Sequence, residues 1–335
     1  MSPRERIIAA IEHRETEYVP YAIPIDPEVV ERLNAHYGSE HWRKRIHSFV
    51  HSAGVQWRDG GPGDGRWTDK FGVVWEDAPG PGAWHSVQVP LTEPTLEGYQ
   101  FPELLTDEEL EELRERFSGP HEQYRMVGMG MLFFERSWAL RGMNNILMDF
   151  HLHPGFAHEL FERLMQVHLD LTDRLAELPI DAIRFGDDFG AQSGLIMGIP
   201  IWRKFLKPRL ARIYGRAHDH GFHVWIHSCG DNSPIIEDLI EIGVDVFNPF
   251  QPEAQDVYRM KRRVGDRIAF EGGIGTQEQL PRWRPGQIRA EIRRLVREVG
   301  ADGGFIISPT KPIMPDVPTE NAVACIEEIL AQAKH

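Results

Sequence analysis

Short apolar segments that alternate with amphipathic helical patterns are the feature that most restricts the fold of this chain. Runs such as "AIRFGDD", "FHVWIHS" and "GGFIIS" are each followed by a segment whose apolar residues recur at helical spacing. This alternation predicts repeated strand–helix units and a parallel sheet. The number of units favours an α/β fold in which the sheet closes into a (β/α)8 TIM barrel.

The chain has 335 residues, and barrels of this kind routinely exceed the usual size of one domain. We therefore expect a single barrel domain over residues 1–335. Residues 1–120 should supply N-terminal helices and an insert, and residues 121–335 the core strand–helix repeats. The first helix is predicted at "PRERIIAAIEH", with Ser2 as its N-cap and Glu5 closing a capping box.

The segment 57–101 differs in composition from the rest of the chain. It is rich in Gly, Pro and Trp and poor in helix formers, which predicts a hairpin insert or a loop with "FGVVWE" as its clearest strand. Trp67, Trp75 and Trp84 offer flat apolar area. They fit an ordered surface insert and a lip that faces the substrate equally well.

Composition excludes several classes of protein. The net charge of -14 argues against a nucleic-acid surface or a basic membrane patch, and no apolar run is long enough to span a bilayer. The N-terminus lacks the apolar core of a signal peptide, so we expect a soluble cytoplasmic protein. The two cysteines make a disulfide scaffold implausible. Cys325 lies on the apolar face of a predicted helix, which predicts a core role.

Polar residues follow five successive predicted strands. In a (β/α)8 barrel the carboxyl ends of the strands meet on one face, which carries the chemistry. Together these residues should outline the floor of a pocket. They are Asp187 and Asp188; His227, Cys229, Asp231 and Asn232; Asn248 and Gln251; Glu271, Gly272 and Gly273; and Ser308 and Lys311.

Several of these residues also have ordinary structural interpretations. Asp187 or Asp188 can cap the next segment, and His227 can be a core histidine whose hydrogen bonds are satisfied. Asn248 precedes a proline and suits a turn equally well. Glu271 follows an apolar strand, where a carboxylate needs a partner or solvent.

His227 and Cys229 form a His-x-Cys pair at one strand end. Imidazole nitrogen and thiolate sulfur are the usual zinc ligands, and catalytic zinc commonly has three protein ligands and one open position. A third ligand would have to come from another strand end, with Glu271 first by residue type and Asp187 or Asp188 next. Without metal, Cys229 could still be a nucleophilic thiolate if His227 lowers its pKa.

Longer motifs carry a family resemblance. They include "FERSWALRGMNNILMDF", "FGDDFGAQSGLIM", "HVWIHSCGDNSPIIEDLIEIGVDVFNPFQPEA", "FEGGIGTQEQLP" and "GGFIISPTKPIMPDVPTENAVA". With these motifs the chain resembles the uroporphyrinogen decarboxylase-like superfamily, and more narrowly its methyltransferase branch that serves corrinoid-dependent demethylation. The resemblance covers most of the chain, and it implies a (β/α)8 barrel and a homodimer.

The chain departs from both branches of that superfamily. True uroporphyrinogen decarboxylases carry an "RQAGR"-type segment whose arginines grip propionates, but the corresponding region here reads "EYVPYAIPIDPEVVERL". The zinc methyltransferases have a His-x-Cys element, which matches His227 and Cys229, and a later Cys. Lys311 stands about where that later Cys would fall. Either another strand end supplies the third ligand, or zinc binds weakly, or the site works without zinc.

The leading hypothesis is a methyltransferase-like enzyme. It would move a methyl group between a small methylated substrate or a methyl-corrinoid protein and a thiol or folate-type acceptor, with a corrinoid or tetrahydrofolate as co-substrate. His227 and Cys229 would hold zinc or activate the acceptor, and Glu271 would complete or orient the site as a catalytic residue and metal ligand. The predicted substrate contacts are Asp187, Asp188, Gln192, Asn248, Gln251 and Lys311.

Two other functions compete with this hypothesis. One is a metal-independent decarboxylase or lyase of a small acid, which would use Asp187 or Asp188 electrostatically. The other is a corrinoid- or ligand-binding protein without turnover, in which the 57–101 insert would be a docking surface. All three involve a small molecule and none involves nucleic acid or a membrane.

Overall fold

A barrel of parallel strands forms the centre of the protein. In the computed structural model, which describes residues 1–59, 65–78 and 84–332, seven parallel strands pair in the order β1-β6-β7-β10-β11-β12-β13. The predicted α/β TIM barrel is confirmed. The described strands are β1 Val50–Gly54, β2 Arg58–Asp59, β3 Arg66–Asp69, β4 Val74–Asp77, β5 Trp84–Gln88, β6 Tyr124–Met129, β7 Ala182–Gly186, β8 Gly190–Ala191, β9 Gly194–Leu195, β10 His223–His227, β11 Val246–Phe250, β12 Ala269–Ile274 and β13 Phe305–Pro309.

Helices cover the outside of the barrel. Ser2 caps the first of them in the predicted capping box with Glu5, and Thr106 and Glu109 form a second box. The described helices are α1 Pro3–Ile11, α2 Pro27–Tyr37, α3 Asp107–Arg116, α4 Phe134–Arg141, α5 Met143–Leu152, α6 Pro154–Leu175, α7 Ile199–Ile201, α8 Lys207–Asp219, α9 Ile236–Glu241, α10 Val257–Val264, α11 Gln279–Arg282, α12 Pro285–Glu298 and α13 Thr319–Ala331.

A short segment before α2 occupies the eighth position of the barrel. Tyr21 forms a parallel bridge to Ile307 of β13, and Ile25 forms another to Ile313. On its other side, the described residues of this segment share no backbone hydrogen bond with β1, and the contact is made by the Tyr21 hydroxyl, which accepts from the His47 N–H at 3.2 Å. The barrel therefore has one seam without backbone pairing.

The 57–101 insert is a small sheet rather than a single hairpin. Strands β2 to β5 pair antiparallel in chain order, and part of the segment (60–64 and 79–83) lies outside the described residues. Trp67 and Trp75 are buried and stack at a centroid distance of 5.6 Å. Trp84 packs edge-on against Trp75 at 4.7 Å. These rings form a core beneath the sheet, which agrees with the ordered-insert interpretation.

The structure corrects the predicted elements in three places. The segment "ERSWALRGMNNILMDF", which its sequence predicts to be one helix, forms two helices, α4 and α5, because Gly142 between them has a φ of 86° that a continuing helix does not allow. The segment "IPIWRKFLKPRLARIYGRAHDHG" is predicted to be one helix ending at Gly221, but it begins as α7 and passes through a π-helical turn, Trp202–Leu206, before α8. Strand β1 was not predicted, since "VHSAG" has little apolar character.

The burial of Cys325 agrees with the core role predicted for it. Cys325 is fully buried in α13 among aliphatic side chains, as the helical spacing predicted. None of the helices within the described ranges combines the length and apolar character that crossing a bilayer requires.

Candidate active site

The site begins at the last residue of β10. His227 lies in register with Gly186 at the end of β7 and with Asn248 in β11. Cys229 follows two residues later in the loop beyond the strand, and its side chain lies against the imidazole of His227. The carboxyl ends of three neighbouring strands therefore bring their polar residues together, as the barrel rule requires.

Three potential metal ligands converge at this point. Ligand atoms of Asp188, His227 and Cys229 all lie within 4.8 Å of one another. The Cys229 Sγ is 3.6 Å from the His227 Nε2, and the Asp188 Oδ1 accepts the Cys229 backbone N–H at 2.7 Å. Nitrogen, sulfur and oxygen donors are thus collected within the span of one cation's coordination shell.

The loop that carries Cys229 is held by side-chain amide bonds. The Asn232 Nδ2 donates to the carbonyl oxygens of Ser228 at 2.9 Å, Cys229 at 3.1 Å and Gly230 at 3.2 Å. Asn232 is fully buried, so these bonds are shielded from water. These bonds therefore help to fix the conformation of the Cys229 loop.

Close backbone contact between two glycines holds the same loop from the other side. Gly230, with a φ of 83°, faces Gly190, and a Cβ on Gly230 would lie 2.4 Å from the Gly190 carbonyl carbon. The Asp231 N–H also donates to the Ala191 carbonyl at 2.8 Å. The small β8–β9 hairpin that follows β7 thereby anchors the Cys229 loop next to Asp188.

A chain of hydrogen bonds orients the imidazole. The His227 Nδ1 is 2.6 Å from the Asn248 Oδ1, and the Asn248 Nδ2 donates to the Glu271 Oε2 at 2.7 Å. The Trp225 indole donates to the same Glu271 oxygen at 3.0 Å. Because this carboxylate fixes the amide orientation, Asn248 presents its oxygen to His227, which places the proton on Nδ1. The Nε2 lone pair then faces Cys229, as metal-ligating histidines require.

Burial and neighbouring charges set the protonation of the pair. Burial and the Arg184 guanidinium lower the pKa of His227, so the ring is neutral at pH 7. Burial and the Asp188 carboxylate raise the pKa of the Cys229 thiol to about 12. Metal-free Cys229 is therefore a thiol, and a nearby cation is needed to make it a thiolate. The interpretation in which His227 alone activates Cys229 is not supported by this electrostatic environment.

The two adjacent aspartates have different tasks. Asp187 is buried, and its carboxylate accepts the backbone N–H groups of Phe133, Phe134 and Glu135 at 2.8–3.0 Å. It caps the N-terminus of α4, which is the ordinary structural role considered for it. Asp188 points to the Cys229 loop instead. Burial raises the pKa of Asp187, and the three N–H donors oppose that shift.

A cavity lies inside the barrel near this cluster. It has a volume of about 410 Å³ and reaches the seam between the Tyr21 segment and β1. Arg184, Trp225 and Glu271 from the barrel strands line it, and the Arg184 Nη2 lies 3.1 Å from the His227 Nδ1. The site therefore combines a ligand cluster at the strand ends with space for a small molecule on the other side of His227 and Arg184.

Comparison with known proteins identifies the family. The sequence model described as "Uroporphyrinogen decarboxylase (URO-D)" matches residues 138–331, more than half of the chain. The chain belongs to the URO-D family. The matched range contains every barrel strand from β7 to β13 and the whole ligand cluster. The family resemblance that the sequence motifs indicated is confirmed.

Individual relatives in the URO-D family are distant. The uroporphyrinogen decarboxylase of Methylococcus capsulatus is 24% identical over 179 residues, which cover 52% of this chain and 49% of that protein. The uroporphyrinogen decarboxylase of Thermus thermophilus is 26% identical over 178 residues, with coverage of 52% and 49%. The chain thus matches about half the length of these curated relatives.

A solved structure matches the whole length of the chain. A methyltransferase from Methanosarcina mazei superposes with a TM-score of 0.73 and covers 98% of both chains at 17% sequence identity. At this identity the likeness establishes a shared fold, which includes the N-terminal region that the family match leaves out.

The other predicted site residues of this URO-D family barrel lie around the cluster formed by Asp188, His227 and Cys229. Glu271 is not among the ligand atoms within 4.8 Å; its carboxylate is bonded to Asn248 and Trp225 instead. The Gln251 Oε1 accepts the Gly230 N–H at 3.4 Å. Gln192 is exposed in the turn between β8 and β9, and Lys311 is exposed at the strand-end face.

Two residues at the site were missed from the sequence. Arg184 lies in the middle of β7, where its Nη2 contacts the His227 Nδ1 at 3.1 Å and the Asn248 Oδ1 at 2.5 Å. Glu135 lies in the first turn of α4, and burial together with Asp187 and Asp188 raises its pKa to about 8. The signal for Arg184 was a charged residue inside an apolar strand.

Proposed function

We propose that this protein is a metal-dependent methyltransferase in which Asp188, His227 and Cys229 hold a zinc ion. It transfers a methyl group between a small methylated substrate or a methyl-corrinoid protein and a thiol or folate-type acceptor. The observation that carries this proposal is the convergence of the three ligand atoms within 4.8 Å at the strand-end face. Asp188 takes the place of the third ligand for which Glu271 was the first candidate.

The residues fit zinc by their chemistry. Zinc accepts nitrogen, sulfur and oxygen donors in tetrahedral sites, and three protein ligands leave one position for a water or a substrate atom. The His227 Nε2 has its lone pair directed to the cluster, and Asp188 keeps Oδ2 available because Oδ1 accepts the Cys229 N–H. The raised pKa of Cys229 also fits a zinc site. A buried thiol beside a carboxylate forms a thiolate at neutral pH only when a cation stabilises that form.

Each residue then has a definite task. Bound zinc supplies positive charge that favours the thiolate form of Cys229 or of a thiol acceptor. Asn248, held by Glu271, keeps the His227 tautomer fixed, so Glu271 acts as a positioning residue. Asn232 and Gly230 keep Cys229 in place. Glu135 holds a proton on its carboxyl group at neutral pH, which limits negative charge next to the cluster.

Methyl transfer is preferred to other zinc chemistry for two reasons. A thiolate formed at a zinc site is a good nucleophile toward methyl groups, and the relative that matches the full length of the chain is named a methyltransferase. A corrinoid or tetrahydrofolate as co-substrate, and a homodimer in the cytoplasm, belong to the same proposal through the family resemblance.

Metal analysis of protein purified without chelator tests the proposal. We expect about one zinc per chain, lost in Cys229→Ser and in Asp188→Asn, because removing one of three ligands lowers zinc affinity by at least about tenfold. Turnover is followed as loss of methylcobalamin absorbance with added thiol, and it should fall with the zinc content.

Two matched variants serve as controls. Cys325→Ala changes the other cysteine, and Asp187→Asn changes the adjacent aspartate, so both should retain zinc. Zinc binding that survives in Cys229→Ser, or zinc loss that is equal in Cys325→Ala, would contradict the assignment. A coloured cofactor that co-purifies without any turnover would favour the non-catalytic ligand-binding protein instead.

A decarboxylase of a small acid is the second candidate. The curated relatives are named uroporphyrinogen decarboxylases, and Arg184 places one guanidinium inside the barrel, where it can meet a carboxylate. This function needs no metal. Release of carbon dioxide from a small acid that persists in Cys229→Ser, and disappears in Asp188→Asn, would support it.

A further inference from the structure

The cavity inside the barrel has a mixed lining. It includes the apolar side chains of Tyr21, Phe49 and Met126, the polar residues His47, Ser48 and Ser52, and the charged residues Arg184 and Glu271. The volume of about 410 Å³ is in the range of small-molecule sites. We refer to this space, lined by Tyr21, Phe49, Met126, Arg184, Trp225 and Glu271, as the seam cavity.

Arg184 brings a positive charge to the seam cavity. Its Nη2 donates to the Asn248 Oδ1 at 2.5 Å and lies 3.1 Å from the His227 Nδ1, and its other nitrogens form no hydrogen bond to a described residue. Within the described parts of the chain, Arg184 forms no ion pair closer than 4.0 Å. A partly buried guanidinium with donors to spare is suited to a carboxylate, which it can bind in bidentate fashion.

Glu271 brings a negative charge to the same cavity. Its Oε2 accepts from Asn248 and Trp225, but its Oε1 forms no hydrogen bond to any described residue, and Glu271 also lacks an ion pair there. Only 8% of the residue is exposed. Burying a carboxylate without a cation is costly, so this arrangement favours a cationic group of a ligand.

The two charges are held apart by one side chain. The Asn248 carboxamide accepts from Arg184 through Oδ1 and donates to Glu271 through Nδ2, at 2.5 and 2.7 Å. Arg184 and Glu271 therefore cannot neutralise each other directly, although both face the seam cavity. A ligand with one charge would satisfy one of them and be repelled by the other.

From this arrangement we infer that the seam cavity binds a small zwitterion, such as an N-methylated amino acid, with its carboxylate on Arg184 and its cationic nitrogen near Glu271. The apolar side chains of Tyr21, Phe49 and Met126 in the same lining suit methyl groups on that nitrogen. The inference deepens the proposed function, on which it rests for the role of the zwitterion as a methyl donor or acceptor. Binding itself does not depend on the metal.

Three ligands of nearly equal shape test the inference. Glycine betaine carries both charges, 3,3-dimethylbutanoate lacks the positive charge, and choline lacks the negative charge. We expect calorimetric titration of the full chain to show glycine betaine binding at least about tenfold more tightly than either analogue, because each analogue leaves one buried charge unpaired.

Two variants test which residue binds the carboxylate of the ligand and which binds its cationic nitrogen. Arg184→Gln should remove the preference for glycine betaine over choline, and Glu271→Gln should remove the preference over 3,3-dimethylbutanoate. Lys44→Gln is the control, since Lys44 is exposed outside the cavity and the variant makes the same charge change as Arg184→Gln. Thermal unfolding of each variant verifies that the barrel is folded.

The outcomes separate this inference from the proposed function. If glycine betaine does not bind, or if 3,3-dimethylbutanoate binds equally well, the zwitterion site is wrong even where zinc is present. If the discrimination holds in both zinc-loaded and chelator-treated protein but the purified protein takes up no zinc, the metal proposal fails alone. If both variants keep all preferences of the wild type, the assignment to Arg184 and Glu271 is overturned.

Discussion

At the scale of the residue, the surroundings of Cys229 determine the reactivity of its thiol more than the local His-x-Cys pattern does. His-x-Cys spacing places the thiol beside an imidazole, which would suggest an activated nucleophile. The surroundings act in the opposite direction, because burial and the Asp188 carboxylate both raise the pKa of the thiol. A thiol of this kind is unreactive by itself and needs a cation, which is consistent with a metal ligand rather than a free nucleophile.

This electrostatic argument predicts slow alkylation of metal-free protein. At pH 8 neither cysteine should react quickly with iodoacetamide, since burial raises the pKa of both thiols to about 12. In Asp188→Asn the pKa of Cys229 should fall, so alkylation at Cys229 should be about threefold to tenfold faster, as expected for a shift of half to one pKa unit. Mass spectrometry of the labelled peptide measures the rate.

Asp187→Asn is the matched control for that experiment. Asp187 faces the N-terminus of α4, and the main causes of the raised pKa of Cys229 are burial and Asp188 instead. The alkylation rate in this variant should equal that of the wild type. An equal acceleration in both variants would mean that the loop had opened, and would contradict a specific effect of Asp188.

At the scale of the element, the β8–β9 hairpin decides where the Cys229 loop lies. The loop has no long side chain that packs into the barrel, so its position depends on backbone contact and on the Asn232 amide. Glycine is required at positions 190 and 230, because a Cβ on either residue would overlap the backbone of the facing segment. The contact joins the ends of β7 and β10, which carry Asp188 and Cys229 respectively.

Gly230→Ala should therefore disrupt the site as well as the stability. The added Cβ meets backbone atoms of Gly190 and Ala191 at 2.4–2.7 Å, and it must also accept a φ of 83°. We expect a loss of about 2–4 kcal/mol in the free energy of unfolding, measured with urea, and at least tenfold weaker zinc binding.

Gly221→Ala separates strain from steric clash. Gly221 has a similar φ of 80°, but nothing lies within 4 Å of its added Cβ. This variant should lose only about 1 kcal/mol and should bind zinc normally. Equal effects of the two substitutions on zinc would show that the contact with Gly190 does not position the site.

At the scale of the whole molecule, a buried ion pair connects the insert sheet to helix α4 of the barrel. The Arg136 Nη1 of α4 donates to the Asp69 Oδ2 of β3 at 2.5 Å, and both residues are almost fully buried. The Trp75 indole donates to the same oxygen at 3.0 Å. The insert thereby supports α4, whose N-terminus is capped by Asp187 next to the metal cluster.

Asp69→Asn should weaken the whole structure. Each carboxylate oxygen of Asp69 accepts from two donors, so an amide NH₂ at this position meets two donors in either orientation. It also leaves the Arg136 guanidinium buried without its counter-charge. We expect a loss of about 3–5 kcal/mol in the free energy of unfolding by urea, as for other broken buried pairs.

An exposed pair on the same sheet provides the comparison. Arg66 and Glu76 face solvent on neighbouring strands, with Nη2 and Oε2 3.4 Å apart. Glu76→Gln should change the free energy of unfolding by less than about 1 kcal/mol, because solvent screens the pair. Similar losses in Asp69→Asn and Glu76→Gln would indicate that burial of the Asp69–Arg136 pair is not what joins the insert to the barrel.

The sequence alone determined the barrel and the strand end at which the candidate site lies. Alternating strands and helices specify a parallel sheet, and the short spacing of His227 and Cys229 after one predicted strand placed both at the same strand end. The burial of Cys325 followed from helical spacing in the same way. These features depend on periodicities within one element, which a sequence displays directly.

Only the tertiary structure decided how the remaining polar residues divide their tasks. Asp187 and Asp188 are adjacent and chemically alike, but one meets the amides of α4 and the other meets the Cys229 loop. Glu271 turned to Asn248 and Trp225, and Arg184 entered the barrel beside it. These outcomes depend on the register between strands and on the donors that neighbouring loops present. Both are properties of packed elements, and no spacing within a single element encodes them.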